Sequence, residues 1–245
     1  MQRLDVILVD KGLFPSRTRA QAEIKNGNVL VNGKIIKKPS VMFEEEDIEV
    51  TLEGDILKYV SRGGLKLEKA LEEFNIDLSG AVCMDIGSST GGFTDCMLCY
   101  GAGKVYAIDV GTDQLAEKIR NDKRVVVMEQ TNFRYVTGEQ IGEPVDFAAA
   151  DVSFISLDKI LPVAYELLKD DGRMVCLIKP QFEAGRENIG KGGIVRDKKV
   201  HEAVKKNVEE YASSLGFIKE AITQSPIPGG DGNTEYLILL KKGCL

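Results

Sequence analysis

Residues 81–95 read AVCMDIGSSTGGFTD: a short apolar run, an acid, then a loop with glycines at 87, 91 and 92. An apolar strand that passes through a Gly-rich turn into a helix is how α/β sheets build a small-molecule site. Spacing decides what such a site holds. A dinucleotide fingerprint needs G-x-G-x-x-G and a P-loop needs Lys followed by Ser or Thr; neither is present. Asp85, at the strand's end, repels a pyrophosphate but suits the amino group of a methionine-like cofactor. Gly87, Gly91 and Gly92 permit close backbone approach, with Ser89 and Phe93 in the same turn. A second acid, Asp109, followed by Val110, ends the next apolar run (Lys104–Ile108), near the separation at which an acid meets ribose hydroxyls. Asn132, after the third strand, is a candidate contact for adenine. For the loop alone, an ordinary strand-to-helix turn is the alternative. With Asp109 added, the pattern points to S-adenosylmethionine, which has a ribose and an ammonium but no phosphate.

Outward from this turn, strands and helices alternate. Strands are expected at 82–85, 104–108, 125–128, 145–150 and 174–178, and helices at 64–74, 93–100, 155–168 and 198–215. Two further strands, 218–224 and 235–240, close the sequence as a pair. Such alternation implies an α/β, Rossmann-like domain built on a mostly parallel seven-stranded sheet covered on both faces. Ligands on such sheets lie beyond the carboxyl ends of the strands, so Asp85, Asp109 and Asp151 should share one rim.

The bulk numbers describe an ordinary globular protein: 245 residues, 43% hydrophobic and 29% charged. A net charge of −6 means that any nucleic-acid surface must be a local patch. No run has the length of a membrane span, and the opening MQRLDVILVDKG lacks a basic-then-apolar signal segment. Five cysteines, an odd number, argue for reduced thiols and a cytoplasmic location. Cys96 and Cys99 form one CxxC on an expected helix; two small apolar side chains on one turn explain it, and no metal is required. The single histidine, His201, falls in VRDKKVHEAVKKN, which reads as the exposed start of a helix. Any general base is therefore sought among Lys, Asp and Glu.

The first residues have their own rhythm. A helix over 4–11 closes at Gly12, Ser16 caps a second helix over 17–26, and Asn32-Gly33 joins two short strands in a hairpin. A further strand follows near 47–52, and a domain joint near 54–60 divides the chain into 1–58 and 59–245. Eight basic residues, among them Arg3, Arg17, Arg19 and Lys34, stand against three acids up to Phe43, before Glu44–Glu49 reverses the sign. Sorting positive charge in this way suits phosphate binding, or is simply a solvated helix face. The residues RLDVILVDKGLFPSRTRAQAEIKNGNVLVNG resemble the S4 RNA-binding module over residues 2–53. That resemblance implies a small unit that grips structured RNA mostly by backbone and shape.

Four segments carry polar residues that strand or helix logic does not demand. SRGGLKLEKA puts Lys66 in the first turn of a helix, unfavourable for a cation. AAADVSF puts Asp151 after an all-apolar strand, LIKPQFE ends another with Lys179, and GNTEYLILL opens the last with Glu235. Each alone reads as a capped element or a rim salt bridge; together they place two cations and two acids at the cofactor edge. With DIGSSTGGFTD, these segments resemble the FtsJ-type RNA 2′-O-methyltransferases, whose Lys-Asp-Lys-Glu tetrad maps onto Lys66, Asp151, Lys179 and Glu235. Adding the S4-like start, YVSRGG, DVSFISL, GKGGIVRD and SPIPGGDGN, the sequence resembles the TlyA family throughout.

That resemblance implies an S-adenosylmethionine-dependent cytidine 2′-O-methyltransferase acting on ribosomal RNA or a ribosomal subunit, in a family also called haemolysins. The family has shorter members acting on the large subunit and longer ones acting on both; little sequence follows the last strand here, as in the shorter kind. In such a site Lys179 either deprotonates the ribose hydroxyl or orients it as a cation, with Asp151 and Glu235 fixing the two lysines. Asp151-Val152-Ser153-Phe154 lacks the prolines usual where base nitrogens are methylated, which favours an oxygen acceptor. Phe154 either stacks on a flipped base or sits in the core. Arg62, Arg134 and Arg186 are phosphate contacts or surface ion pairs. GKGGIVRD (190–197) reads as a loop that orders over substrate. Competing expectations are an S4-tethered assembly factor without turnover and a membrane-lytic protein, the latter weakened by the absence of an apolar span.

Overall fold

The computed structural model describes residues 1–11, 13–14, 17–44, 48–52, 58–229 and 232–243, with the side chain of Arg19 excepted. Gly12, Ser16, the acids Glu45, Glu46 and Asp47, and most of the expected 54–60 joint lie outside the described residues. The chain divides into two compact units, Met1–Lys58 and Tyr59–Leu245.

The first unit comprises β1 (Gln2–Arg3), α1 (Leu4–Asp10), α2 (Arg17–Asn26), β2 (Val29–Val31), β3 (Lys34–Ile35), β4 (Met42–Phe43) and β5 (Val50–Leu52). β2 pairs antiparallel with both β3 and β5. Asn32 and Gly33 take φ values of 51° and 75°, the left-handed pair that a tight two-residue hairpin requires. Leu4, Leu8, Ile24, Val29 and Val31 form the small core beneath the helices. β1 pairs with β4 over two residues, a ladder too short to leave a periodic sequence signal.

The second unit runs α3 (Gly63–Glu73), β6 (Val82–Ile86), α4 (Gly92–Cys99), β7 (Lys104–Ile108), α5 (Glu117–Arg120), β8 (Val125–Met128), α6 (Gly138–Ile141), β9 (Val145–Ala150), α7 (Leu161–Leu167), β10 (Leu168–Ile178), α8 (Pro180–Glu183), α9 (Lys198–Ser214), β11 (Phe217–Gln224) and β12 (Tyr236–Lys242). The seven-stranded sheet has the order β11-β12-β10-β9-β6-β7-β8. β10, β9, β6, β7 and β8 are parallel, and β12 is antiparallel to β10 and β11. One face is covered by α6, α7 and α9, the other by α3, α4 and α5. From β6 the chain moves outward through β7 and β8, then returns to lay β9 on the other side of β6. Strand order reverses there, so a crevice opens beyond the carboxyl ends of β6 and β9.

Three sequence expectations change. The helix over 155–168 is two pieces: the Ser156 hydroxyl accepts from the Asp158 amide and caps a separate 3₁₀ turn, Leu157–Lys159, and α7 starts at Leu161 with Pro162 in its first turn. β10 starts at Leu168, ahead of residue 174, through an irregularity of register before Arg173 at which Asp171 takes a φ of 62°. Glu235 immediately precedes β12 instead of opening it.

Candidate active site

A cleft of about 430 Å³ lies beyond β6, β7, β8 and β9, lined by Gly87, Ser89, Asp109, Val110, Asn132 and Asp151 among others. Asp109 is oriented by two backbone amides, Ser89 to Oδ2 at 2.8 Å and Gly111 to Oδ1 at 2.7 Å. Val110, 70% exposed, presents an apolar surface at the mouth. Ile108 and Phe133 add apolar wall, so the cleft pairs a carboxylate with slots for a flat ring. Asn132 lines it too, but its Oδ1 accepts from the amide and the Nε of Arg134, capping the turn Phe133–Tyr135.

Asp85 is buried at the end of β6. Its Oδ2 accepts from both the amide and the hydroxyl of Thr94, at 2.8 and 2.6 Å, while Oδ1 has no hydrogen-bond partner among the described residues. Burial, opposed by the Thr94 bonds and assisted by the negative charges of Asp151 and Asp109, pushes this carboxyl up to about 7. Among the described residues no cation pairs with it. An orphaned, buried carboxylate oxygen is unusual in a settled interior and marks a group short of a partner.

The glycines of the turn serve the protein's own packing. Gly87 has a φ of 82°, and a Cβ there would lie 2.8 Å from the Asp151 carbonyl oxygen, so it lets the loops after β6 and β9 touch. A Cβ on Gly92 would overlap the Ser61 hydroxyl. Gly91 and Gly92 open α4 away from the cleft lining, and Phe93 corrects its expectation outright. Its side chain is buried in the core under α3 and α4, because α4 turns its first residues inward.

Lys66 comes from α3, Asp151 and Lys179 directly follow β9 and β10, Glu235 directly precedes β12, and the four meet as one chain of charges. Lys66 Nζ donates to Glu235 Oε2 at 2.7 Å and stands 3.5 Å from Asp151 Oδ2. Lys179 Nζ lies 2.6 Å from Asp151 Oδ1, off the line of a hydrogen bond, so that contact is coulombic. Its directed bond goes to the Ser153 hydroxyl, at 2.9 Å. Both lysines are 8% exposed and Glu235 is 2% exposed; such charges are kept in an interior only when paired. The result is an alternating −+−+ row in which Asp151 lines the cleft and the cationic end, Lys179, bonds to the cleft-lining Ser153, able to hold a polar hydroxyl and the charge that develops on it.

Around this row, Phe154 is 92% exposed with a φ of 63°, which removes the core alternative. Its ring lies 5.1 Å from that of Phe182. Arg62, Arg134 and Arg186 are exposed and have no acidic partner among the described residues, so the ion-pair alternative falls for all three. The expectation for His201 is corrected: it is 6% exposed, with Nε2 donating to the Val195 carbonyl and Nδ1 beside the Tyr236 hydroxyl. GKGGIVRD is likewise fastened in its later half, since buried Asn233 donates to the Gly193 carbonyl and accepts from the Val195 amide. Ser153, Thr94 and Asn233 were not singled out from sequence; each acts on a residue distant in the chain, and no local pattern announces that.

In the first unit, Arg3 and Arg17 both reach buried Asp5, Arg3 through two bonds of 2.9 and 3.0 Å and Arg17 at 3.3 Å, joined by Gln21 at 2.5 Å. The arginines remain 41% and 54% exposed. Lys34, in β3, is exposed, and Arg19 carries no described side chain.

Among the described residues no three His, Cys, Asp or Glu are placed to hold a metal ion, and no helix is long and apolar enough to cross a membrane. Residues 59–242 match the FtsJ-like methyltransferase family, and residues 2–48 match the S4 domain. Hemolysin A of Brachyspira hyodysenteriae is 45% identical, with 96% of this chain and 98% of that protein covered. The 16S/23S rRNA (cytidine-2′-O)-methyltransferase TlyA of Mycobacterium tuberculosis is 42% identical, with 98% and 89% covered. A crystal structure from Lactococcus lactis is 58% identical, covering 76% of this chain and 89% of that one with a TM-score of 0.74. The chain belongs to the TlyA family of methyltransferases, in which an S4 domain precedes an FtsJ-like domain.

Proposed function

We propose that this protein is an S-adenosylmethionine-dependent RNA methyltransferase that modifies the 2′-hydroxyl of a cytidine ribose in ribosomal RNA. The convergence of Lys66, Asp151, Lys179 and Glu235 beside the cleft carries this reading. The TlyA relative named for that reaction and the S4 domain support the substrate.

S-adenosylmethionine suits the residues present. Asp85 offers an unpartnered carboxylate oxygen to an ammonium, Asp109 offers an oriented carboxylate to ribose hydroxyls, and Val110 and Phe133 offer apolar surface to adenine. When bound, it supplies an electrophilic methyl group. The chain's own residues do the remaining work. Lys179, ion-paired with Asp151, directs its ammonium at the acceptor oxygen and stabilises the partial negative charge that this oxygen carries as its proton passes to solvent. Ser153 and Asp151 fix the direction of that ammonium. Lys66, locked by Glu235, holds Asp151 in turn. Much of the rate then comes from positioning. Phe154 stacks on the acceptor base, and Arg62, Arg134 and Arg186 meet RNA phosphates, as do Arg3, Arg17, Arg19 and Lys34 of the first unit. The work is placed in the cytoplasm, where ribosomal RNA is found.

Lys179→Ala should lower methyl transfer to unmodified ribosomal RNA by on the order of a thousandfold, the cost of losing a charge-stabilising donor. Calorimetry should find cofactor affinity nearly unchanged. Wild-type turnover in this variant would overturn the assignment of Lys179.

A further inference from the structure

Glu183 has no part in the row of charges, yet it sits one helical turn from Lys179. Its Oε2 accepts from the Ser156 hydroxyl at 2.7 Å and its Oε1 from the Leu157 amide at 2.9 Å. These bonds complete a set of rungs between two short segments, 151–157 and 179–183. The first rung is Lys179 on Ser153, the second is the Phe154–Phe182 ring contact, and the third is Glu183 on Ser156 and Leu157.

Between the first and third rungs Phe154 holds a left-handed backbone with almost its whole side chain in solvent. A non-glycine residue keeps that conformation only when its surroundings enforce it. Exposure leaves few contacts to do so. Of the loop's apolar neighbours, Val152 and Ile155 pack partly against the core and anchor the chain on either side of Phe154. The residue itself is held, among the described residues, by the Phe182 ring and by the latch that follows.

We propose that Glu183 is a positioning residue for methyl transfer, latching the Asp151–Leu157 loop to α8 so that Phe154 and Lys179 address the same nucleotide. The latch sets the spacing between the base-stacking ring and the ammonium. Burial also raises the Glu183 carboxyl from its ordinary value, against the two bonds that lower it. This inference rests on the reading of the reaction given above.

Full-length protein assayed with labelled S-adenosylmethionine and unmethylated ribosomal RNA tests it. Glu183→Ala should lower kcat by on the order of 30-fold, within the hundredfold that a misplacement of about 1 Å costs, with the KM for cofactor unchanged. Glu183→Gln keeps an oxygen for Leu157 and an amide for Ser156, and should stay within about threefold of wild type. Ser156→Ala, which removes one bond near the surface, should show a smaller loss in the same parameter. In a Phe154→Ala background, Glu183→Ala should add little, because both act through one loop. Additive losses, a failed Gln rescue or an unaffected Ala variant would overturn the proposal. Hydrogen exchange over 152–157 without RNA reads the latch itself: Glu183→Ala should accelerate exchange there and not in β9 or β10. If wild-type protein methylates no RNA, the reading of the reaction fails, and unchanged exchange in that loop would separately sink the latch.

Discussion

Two buried aspartates, one in each unit, show how a carboxylate's partners set its use. Asp5 is fully buried and Asp85 nearly so, at 0% and 1% exposure. Asp5 is saturated: Arg3, Arg17 and Gln21 all donate to it. The Arg3 hydrogen bonds lead, over the opposing effect of burial, in holding its carboxyl far below the usual range. Among the described residues Asp85 has Thr94 on one oxygen and no partner on the other, and burial drives it up to about 7. A saturated carboxylate holds structure together. An unsaturated one, two residues before the cleft-lining Gly87, suits the ammonium proposed above.

Substitution should separate the two. Asp85→Asn should weaken S-adenosylmethionine binding by on the order of a hundredfold, as when one partner of a buried charged pair is lost. It should not lower the melting temperature at pH 8, because the amide relieves a buried, uncompensated charge. Asp5→Asn should do the reverse, costing the first unit about 1.5–3 kcal/mol and leaving cofactor affinity alone. Hydrogen exchange in α1 and α2 reads that loss. Equal effects on both properties in either variant would break the comparison.

Acidity separates them with opposite signs. For Asp85 the folded value of about 7 exceeds the ordinary 3.8, so between these values the folded state keeps a proton that the unfolded state has released. Its contribution to stability therefore declines as pH rises from 3.8 to about 7. An added ammonium favours the ionised form, so cofactor affinity should climb over the same window and level off above it. For Asp5 the folded value is depressed, so its contribution is present above 3.8 and lost as pH falls below it. Titrating cofactor affinity and unfolding in parallel checks these slopes, and Asp85→Asn should flatten both between 3.8 and about 7 while leaving the loss of stability below 3.8 in place.

The smallest effect concerns the arginines that Asp5 holds. Their heads stay half in water, unlike Lys66 and Lys179, a geometry for meeting phosphate outside the fold. Arg17→Gln and Lys34→Gln should each lower the salt dependence of RNA binding by about one unit of log–log slope. An unchanged slope would assign Arg17 to structure only.

How much of this was legible depended on the range of the interaction. β7, β8 and β9 match their expected bounds because β8 is an uninterrupted apolar run and β7 and β9 are broken only by Lys104 and Asp146 near their starts. α2 matches because its polar helix stops before Gly27, whose φ of 82° closes it. The first half of β10 was hidden, since Lys169-Asp170-Asp171-Gly172 reads as a turn and pairs through an irregular register. At the site, charged residues at strand ends were visible as misplaced polarity. Their fixers were not: Thr94 and Ser153 are ordinary until folding brings them to Asp85 and Lys179. His201 looked solvated because the groups it bonds, the Val195 carbonyl and Tyr236, lie on other elements.

In the proposed reaction the row of paired lysines and acids directs a methyl group to a ribose oxygen. Nucleoside mass analysis of ribosomal RNA incubated with the protein and labelled S-adenosylmethionine tests it most directly. Label in 2′-O-methylcytidine, absent with Lys179→Ala, is the predicted result; label on a base, or in no nucleoside at all, would contradict it.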